Sequence, residues 1–194
     1  MPSIYFATTN PDKLLIARTV CESVGIDVKQ AVLDIDEIQG EDSLKILRDK
    51  AVKAYGQLGR PLVVSDDSWS IPALNGFPGL YMKSINAWFQ PQDMLRLMDS
   101  IPDRTIQLNQ YLAYIDGRKT KVFDNIISGR IADGVRGRKG NAPMMAVIEL
   151  NGDGGKTLAE VYANGRDNLV DRHLKRPDVW HNFVSWYKNR LEDS

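Results

Sequence analysis

The fold class is decided by the stretch LVVSDDS at residues 62–68, where a short apolar run leads directly into two adjacent acids. Leu62–Val64 predicts a short buried strand. Aspartate is disfavoured within strands, so Asp66 and Asp67 are predicted to follow the end of this one. Because α/β sheets bind ligands at the carboxyl ends of their strands, the stretch predicts an α/β protein with a ligand site at this pair.

The acidic pair also suggests which ligand binds. Adjacent carboxylates repel each other, and a divalent cation would relieve that repulsion. Mg²⁺ takes one or two carboxylates together with substrate phosphates and water. The alternative is a solvated loop in which one aspartate caps the backbone. We favour a magnesium site.

Outward from this stretch, helix and strand patterns alternate in the first half of the chain, and longer strand patterns follow in the second. Asp116 and Gly117 carry a hairpin signal. This order predicts an α/β or α+β fold with a mixed sheet and a cleft between the halves. The predicted elements are a strand at 4–8, a helix at 11–24, an extended segment at 32–38, helices at 43–58 and 93–100, a hairpin at 105–131, a strand at 144–150 and a C-terminal helix.

The segment TTNPDK at residues 8–13 joins the first strand to the first helix. Asn10 is a good N-cap, and Pro11 suits the first helical position. Free N–H groups at a helix start attract anions, and Lys13 adds a positive charge there. An ordinary capped helix with a surface lysine is the alternative. The Walker A pattern is absent.

Two further segments offer charged candidates. Glu41 precedes the 43–58 helix, where it is either a metal ligand or an ordinary surface acid, and Lys50 and Lys53 share a side of that helix. The segment GKTLAE at 155–160 is followed by basic side chains that could bind a base or a phosphate, or form a solvated charged face. These side chains are Arg166, Arg172 and His173.

Composition narrows the class of protein. The chain has 194 residues, and its 25 Lys and Arg balance its 25 Asp and Glu, which disfavours a nucleic-acid binder. Cys21 is the one cysteine, so no intrachain disulfide forms. No apolar segment approaches the roughly 18 residues of a membrane span. We expect a cytoplasmic protein without membrane or nucleic-acid partners.

The order and spacing of these motifs resemble the ITPase family of non-canonical purine NTP pyrophosphatases. The resemblance rests on TTN with Lys13, QGE at 39–41, DDS at 66–68, NGFPGLY at 75–81 and GKTLAE. It implies one domain over residues 1–194 with an ITPase-like, anticodon-binding-like α/β fold. This fold has an elongated twisted mixed sheet, flanking helices, and two lobes around a central cleft. A homodimer is also implied.

The resemblance implies that water attacks the α-phosphorus of a Mg²⁺-bound nucleoside triphosphate and that pyrophosphate leaves. Asp67, Lys13 and Glu41 would be catalytic, with Asp67 as metal ligand and general base and with Glu41 and Asp66 as further metal ligands. The substrate would be bound by Thr8, Thr9, Asn10, Lys53, Ser68, Arg166, Arg172 and His173.

The half of the motif set that holds the nucleobase departs from the family pattern. The family has a GFGYDP-type run after an Arg-Gly pair, whereas Arg136-Gly137 is followed here by RKGNAP at 138–143. Its Ser-His-Arg run corresponds to Val170-Asp171-Arg172, with His173 one place late. A site without its hydrogen-bonding partners discriminates less between substrates. We therefore expect a base preference outside the usual inosine and xanthosine set.

Two other functions fit parts of the sequence. A Maf-like pyrophosphatase would act on pyrimidine or modified nucleotides, but the Ser-x-Ser-Pro-Arg-Arg start of that family is absent. A non-catalytic nucleotide-binding protein would not need the acids at 41 and 67. Pyrophosphate release with and without Mg²⁺ separates catalysis from binding.

Overall fold

The computed structural model describes residues 2–36, 38, 40–163 and 165–192, apart from the side chains of Arg166 and Asn168. The strands are β1 Ser3–Ala7, β2 Asp27–Ala31, β3 Leu62–Ile71, β4 Phe77–Gly79, β5 Thr105–Ile115, β6 Thr120–Ile131 and β7 Ile148–Leu150. The α-helices are α1 Pro11–Glu22, α2 Ser43–Leu58, α3 Met82–Trp88, α4 Pro91–Leu97, α5 Leu158–Ala163, α6 Arg166–Lys175 and α7 Val179–Glu192. Short 3₁₀ helices occupy Pro72–Leu74 and Pro143–Val147.

The strands of the described residues form one mixed sheet in the order β2-β1-β3-β5-β6-β7, with β4 paired to β3. The β1 strand runs parallel to β2 and β3, whereas β4 is antiparallel to β3 and β7 is antiparallel to β6. The predicted mixed α/β sheet is therefore confirmed. The helices of the described residues are all too short or too polar to span a bilayer.

The chain divides into two compact units. One comprises Met1–Asp66, Gln110–Asn125 and Arg172–Ser194, and the other comprises Asp67–Asn109 and Ile126–Asp171. The single domain over residues 1–194 stays a prediction.

The first unit has apolar clusters on both faces of its strands. Val63 packs in a cluster with Phe6 of β1 and with α1 and α7, including Phe183. Leu62 and Val64 join a second cluster built on α2. Because side chains alternate along a strand, consecutive residues of β3 contribute side chains to the two clusters in turn.

The second unit has its own apolar core. Ile71, Met94 and Ile106 are completely buried within it. The β6–β7 pairing depends on Gly129, where a Cβ atom would lie 2.0 Å from the carbonyl oxygen of Glu149. A side chain at that position would force the two strands apart.

Several predicted boundaries are confirmed. Asn10 caps α1 as predicted. The second helix begins at residue 43 as predicted and has Asp42 as its N-cap, and each of the two cap side chains accepts two backbone N–H groups. In the predicted hairpin, the Asp116 side chain accepts from Arg118 and Lys119, and Gly117 has a φ of 83°. The local chemistry of these turns is sufficient to define them.

The second strand was predicted too late in the chain. The observed β2 pairs with β1 along its whole length, from Ser3↔Asp27 to Ala7↔Ala31. It lies at the end of the sheet order and exposes Lys29 and Gln30, which hides its apolar alternation. The predicted segment at 32–38 contains Glu37, which lies outside the described residues, and its described part has no strand.

The strand after α2 was predicted too short. It continues through Asp66 and Asp67 to Ile71, because Trp69–Ile71 pair with Gly79–Phe77 of β4. The backbone hydrogen bonds of that pairing offset the poor strand propensity of the acids. The strand predicted at 144–150 is likewise mostly a 3₁₀ helix and keeps only its last three residues, Ile148–Leu150, as a strand.

Candidate active site

The turn between β1 and α1 positions the first candidate group. The Asn10 side chain accepts the N–H groups of Asp12 at 2.9 Å and Lys13 at 3.2 Å. The Thr8 hydroxyl accepts the N–H of Asn10 at 3.1 Å. The expectation of free N–H groups at these helix positions is therefore wrong. An anion here would meet the Lys13 side chain and the positive end of the helix dipole.

The parallel pairing of β1 with β3 determines what lies beside this turn. Tyr5 and Phe6 align with Leu62 and Val63, so β1 leads into its turn and β3 continues into Ser65 and Asp66 from the same end of this parallel pair. Ser65 is buried and Asp66 is half-buried. The β1–α1 turn and Asp66 therefore belong to one region of the first unit.

The acidic pair lies within a strand, not after one. Side chains of consecutive strand residues point to opposite faces. By this alternation Asp66 shares a face with Leu62 and Val64, whereas Asp67 shares a face with Val63. Strand alternation therefore favours opposite faces for the two carboxylates, and their joint role as metal ligands stays a prediction. Both are half-buried, whereas Ser68 is 6% exposed.

The two lysines of α2 have different partners. Lys50 Nζ donates to the carbonyl oxygen of Ser65 at 3.4 Å, immediately before Asp66. Lys53 Nζ donates to the carbonyl oxygen of Asp36 at 2.6 Å and lies 2.8 Å from Asp49 Oδ2. That Asp49 oxygen is buried and makes no hydrogen bond among the described residues, and the Lys53 ammonium is its ion-pair partner. Phosphate binding by Lys53 stays a prediction, and Lys50, on the same side of the helix, is the lysine that contacts the segment of the acidic pair.

Glu41 lies in an exposed bend immediately before α2, next to the capping residue Asp42. Gln39 of the same motif lies outside the described residues. Within the described part of the chain, no three or more His, Cys, Asp or Glu side chains gather into a group that could hold a metal ion. Because Mg²⁺ needs only one or two protein carboxylates when phosphates complete its shell, Asp66 and Asp67 still suit it chemically.

The basic candidates near the C-terminus have different environments. The Arg166 side chain lies outside the described residues, and Arg172 is half-buried. His173 is only 6% exposed, and its Nδ1 lies 3.2 Å from Asp178 Oδ2. The two ring nitrogens of His173 face Asp178 and Arg172 within the protein. Direct contact of His173 with the substrate stays a prediction.

The GKTLAE segment has a local structural role. The N–H of Thr157 donates to Glu160 Oε2 at 2.8 Å, and the N–H of Glu160 donates to the Thr157 hydroxyl at 3.3 Å. This reciprocal pair is a capping box at the start of α5. The hydrogen bond from the Thr157 N–H is the largest of the effects that hold the pKa of the Glu160 carboxyl group below its usual value. The segment therefore needs no ligand to explain its pattern.

The capping box also anchors the Arg136-Gly137 pair. The Thr157 hydroxyl donates to the Arg136 carbonyl oxygen at 2.8 Å. The Arg136 guanidinium reaches Glu149 Oε1 at 2.7 Å and Glu160 Oε2 at 3.3 Å. Gly137 has a φ of 71°, and a Cβ atom added at this position would lie 3.0 Å from the backbone nitrogen of Glu160. The divergent 138–143 run thus begins at a firmly held point.

Comparison with known proteins gives relatives of similar length. The Ham1 family model matches residues 4–173. The dITP/XTP pyrophosphatase of Methanopyrus kandleri is 29% identical over 189 residues, which are 97% of this chain and 97% of that protein. The dITP/XTP pyrophosphatase of Korarchaeum cryptofilum is 32% identical over 132 residues, which are 68% of this chain and 71% of that protein.

Solved structures extend the comparison to the fold. A HAM1 protein from Coxiella burnetii matches with a TM-score of 0.76 and 20% identity, covering 97% of this chain and 100% of that one. The Staphylococcus aureus Ham1 protein matches with a TM-score of 0.69 and 20% identity over 98% of each chain. At this identity the likeness concerns the fold alone.

Proposed function

Because the chain belongs to the Ham1 family, we propose that it hydrolyses non-canonical nucleoside triphosphates to the monophosphate and pyrophosphate. The relatives named dITP/XTP pyrophosphatase support this activity. The observation that carries the proposal is the Lys50–Ser65 contact beside Asp66, on the strand that pairs in parallel with β1 before the turn that leads to Lys13. The family match favours this reaction over that of a Maf-like enzyme.

Lys13 and Lys50 bind the triphosphate in this proposal, with Thr8, Thr9 and Asn10 forming the turn beside it. Lys50 takes the role first given to Lys53, because the Lys53 ammonium is held by the Asp36 carbonyl and the Asp49 carboxylate. A unit charge pair at about 4 Å contributes roughly 4 kcal/mol at an effective dielectric near 20. Two lysines therefore offset much of the repulsion between substrate and acids.

Asp67 is the proposed principal ligand for Mg²⁺, with Asp66 and Glu41 as further carboxylates. Since Asp66 and Asp67 point to opposite strand faces, we expect unequal contributions from them. These carboxylates would hold Mg²⁺, which when bound would supply charge neutralisation and polarisation at the phosphoryl group. The requirement for Mg²⁺ is a proposal that rests on the chemistry of these oxygen donors.

In the reaction, a water oxygen forms a bond to the α-phosphorus while the bond from that phosphorus to the α–β bridging oxygen breaks. The proton of the water passes to the Asp67 carboxylate, and pyrophosphate leaves with the bonding electrons. Lys13 and Lys50 stabilise the charge that develops on pyrophosphate. Most of the catalysis is thus positioning and charge stabilisation.

Arg172, Ser68 and Arg166 are the proposed direct contacts for the rest of the nucleotide. His173, whose ring nitrogens face Asp178 and Arg172, is proposed to act on the nucleotide through Arg172. The 138–143 run begins from the anchored Arg136-Gly137 pair and lacks the family's aromatic and acidic residues. We therefore propose that the base preference lies outside the usual inosine and xanthosine set. A homodimer is a further proposal that rests on the family resemblance, and a cytoplasmic location is one that rests on the composition of the sequence.

Hydrolysis of ITP in ¹⁸O-labelled water tests the reaction. The expected products are pyrophosphate and a monophosphate that carries the label, both resolved by ³¹P NMR. Release of orthophosphate, or label in pyrophosphate, would contradict attack at the α-phosphorus.

The Asp67→Asn variant should have a kcat about 100-fold or more below that of the wild-type protein. The Asp66→Asn variant is the matched comparison, and its kcat should fall by less.

A further inference from the structure

The start of α7 contains a buried acid between two imidazoles. Asp178 is 1% exposed, and its carboxylate lies 3.2 Å from His173 Nδ1 and 3.0 Å from His181 Nδ1. All three residues belong to the first unit. A buried carboxylate persists only when its oxygens are well satisfied.

The two carboxylate oxygens of Asp178 have different tasks. Oδ1 accepts the N–H of Trp180 at 2.9 Å and thereby caps α7, and it also faces His181. Oδ2 faces His173. Burial alone would raise the pKa of Asp178, but the hydrogen bonds to the two histidines hold that pKa below its usual value. Capping needs only one oxygen, so the second is available for His173.

The neighbours of His173 fix its tautomer. Arg172 Nη1 lies 3.4 Å from His173 Nε2. Because a guanidinium only donates hydrogen bonds, Nε2 must be the acceptor. The imidazole proton of the neutral ring therefore sits on Nδ1, where it is donated to Asp178 Oδ2. Asp178, His173 and Arg172 thus form a directed chain of hydrogen bonds.

We propose that Asp178 is a positioning residue for substrate binding: through the His173 tautomer it orients the Arg172 guanidinium toward the nucleotide. The inference rests on the proposed function, in which Arg172 contacts the substrate. His173 is buried and uses both ring nitrogens within the protein, so it acts through Arg172. Neither Asp178 nor this tautomer follows from the sequence motifs.

Asp178→Asn isolates the second oxygen. The single amide oxygen stays with the backbone N–H that caps α7, so the amide NH₂ group faces His173 Nδ1. That group donates, so the His173 proton must move to Nε2, where its N–H opposes the N–H of Arg172. We expect ¹⁵N NMR of the imidazoles to show this change, and KM for the nucleotide to rise about tenfold with kcat within about twofold.

His181→Asn is the matched control, because His181 contacts the same carboxylate but not the chain to Arg172. It should leave the His173 tautomer and KM unchanged.

A double-mutant cycle tests whether Asp178 acts through Arg172. The rise in KM caused by Asp178→Asn should disappear in an Arg172→Ala background, because two residues that act through the same hydrogen-bond chain have non-additive effects. A purely structural role for Asp178 would instead leave the effect in place.

The proposal is overturned by an unchanged tautomer, by an unchanged KM in Asp178→Asn, or by additive effects with Arg172→Ala. It is also overturned if Arg172→Ala keeps the wild-type KM. Loss of the proposed function is distinguishable, because it appears as absence of pyrophosphate release by the wild-type protein. If Asp178→Asn does not fold, His173→Phe breaks the same chain without changing the cap and should raise KM alike.

Discussion

Lys50 Nζ lies 3.4 Å from the carbonyl oxygen of Ser65, which fixes a cation beside the acidic pair of β3. Three residues further along α2, the Lys53 ammonium instead neutralises a buried oxygen of Asp49. One helix thus carries two lysines with different partners, and the proposed function gives phosphate binding to Lys50 and structural support to Lys53.

Lysine replacements separate these tasks. Lys50→Met should lower kcat/KM for the nucleotide about 100-fold, because a cation facing the developing charge is lost. Lys53→Met should instead lower the free energy of unfolding by about 1 kcal/mol, with a much smaller kinetic effect. Steady-state kinetics and urea unfolding distinguish the two. Lys45→Met, an exposed replacement near the start of α2, controls for loss of helix charge. A larger kinetic loss at Lys53 would restore the first assignment.

Base preference can be measured with a panel of nucleoside triphosphates. At least one nucleotide outside the inosine and xanthosine set should reach a kcat/KM within about tenfold of that for ITP, since the 138–143 run lacks family residues that enforce discrimination. Pyrophosphate release measures turnover for each base and for each sugar. Strong and exclusive turnover of ITP and XTP would mean that other residues have restored the usual selectivity.

Gly129→Ala should destabilise the second unit severely. The added Cβ would lie 2.0 Å from the Glu149 carbonyl oxygen and 2.9 Å from the Leu150 Cα, so the β6–β7 pairing must move. We expect a loss of about 3 kcal/mol or more in the free energy of unfolding, measured by urea denaturation. Gly134→Ala is the matched control, because an added Cβ there meets nothing within 4 Å. Equal stability of the two variants would exclude this close approach.

Cys21 should resist thiol reagents in the folded protein. Burial, followed by the charge of Asp178, raises the pKa of its thiol to about 12, and the thiolate is the reactive form. The stabilisation from keeping the thiol neutral is complete below its ordinary pKa of about 8.5 and is lost as pH rises toward the folded value. Ellman's reagent at pH 8 should modify the protein only after unfolding in urea. Rapid modification of the native chain would indicate an accessible thiol.

Local chemistry predicted the helix starts and the hairpin because their determinants are close in sequence. Asn10 and Asp42 each bond to backbone groups two and three residues ahead. The hairpin turn is likewise completed by Asp116 and its near neighbours. The extent of β3 depends instead on β4, which pairs with it from several residues beyond its end. Sequence propensity at Asp66 and Asp67 could not reveal that partner.

The site residues stay predictions, but the structure gives hydrogen-bond partners for several of them that the sequence did not indicate. Lys50 and Lys53 share a helix side, so their separate tasks emerge only from the positions of Ser65, Asp36 and Asp49. The GKTLAE pattern contains a threonine and a glutamate three residues apart, and this capping signature was the available clue to its structural role. The contact of His173 with Asp178 depends on the turn between two helices.

The alternation of side chains along β3 makes this strand sensitive to its residue count. Deleting Ser65 while the pairing with β4 is kept would shift the preceding part of the strand by one residue, so that each of its side chains would point to the opposite face. Val63 would then face α2, whereas Leu62 and Val64 would face α1 and α7. The acids would keep their sides, but the apolar clusters that hold them in place would be exchanged. Length in this strand is therefore constrained more tightly than the identity of any single apolar residue.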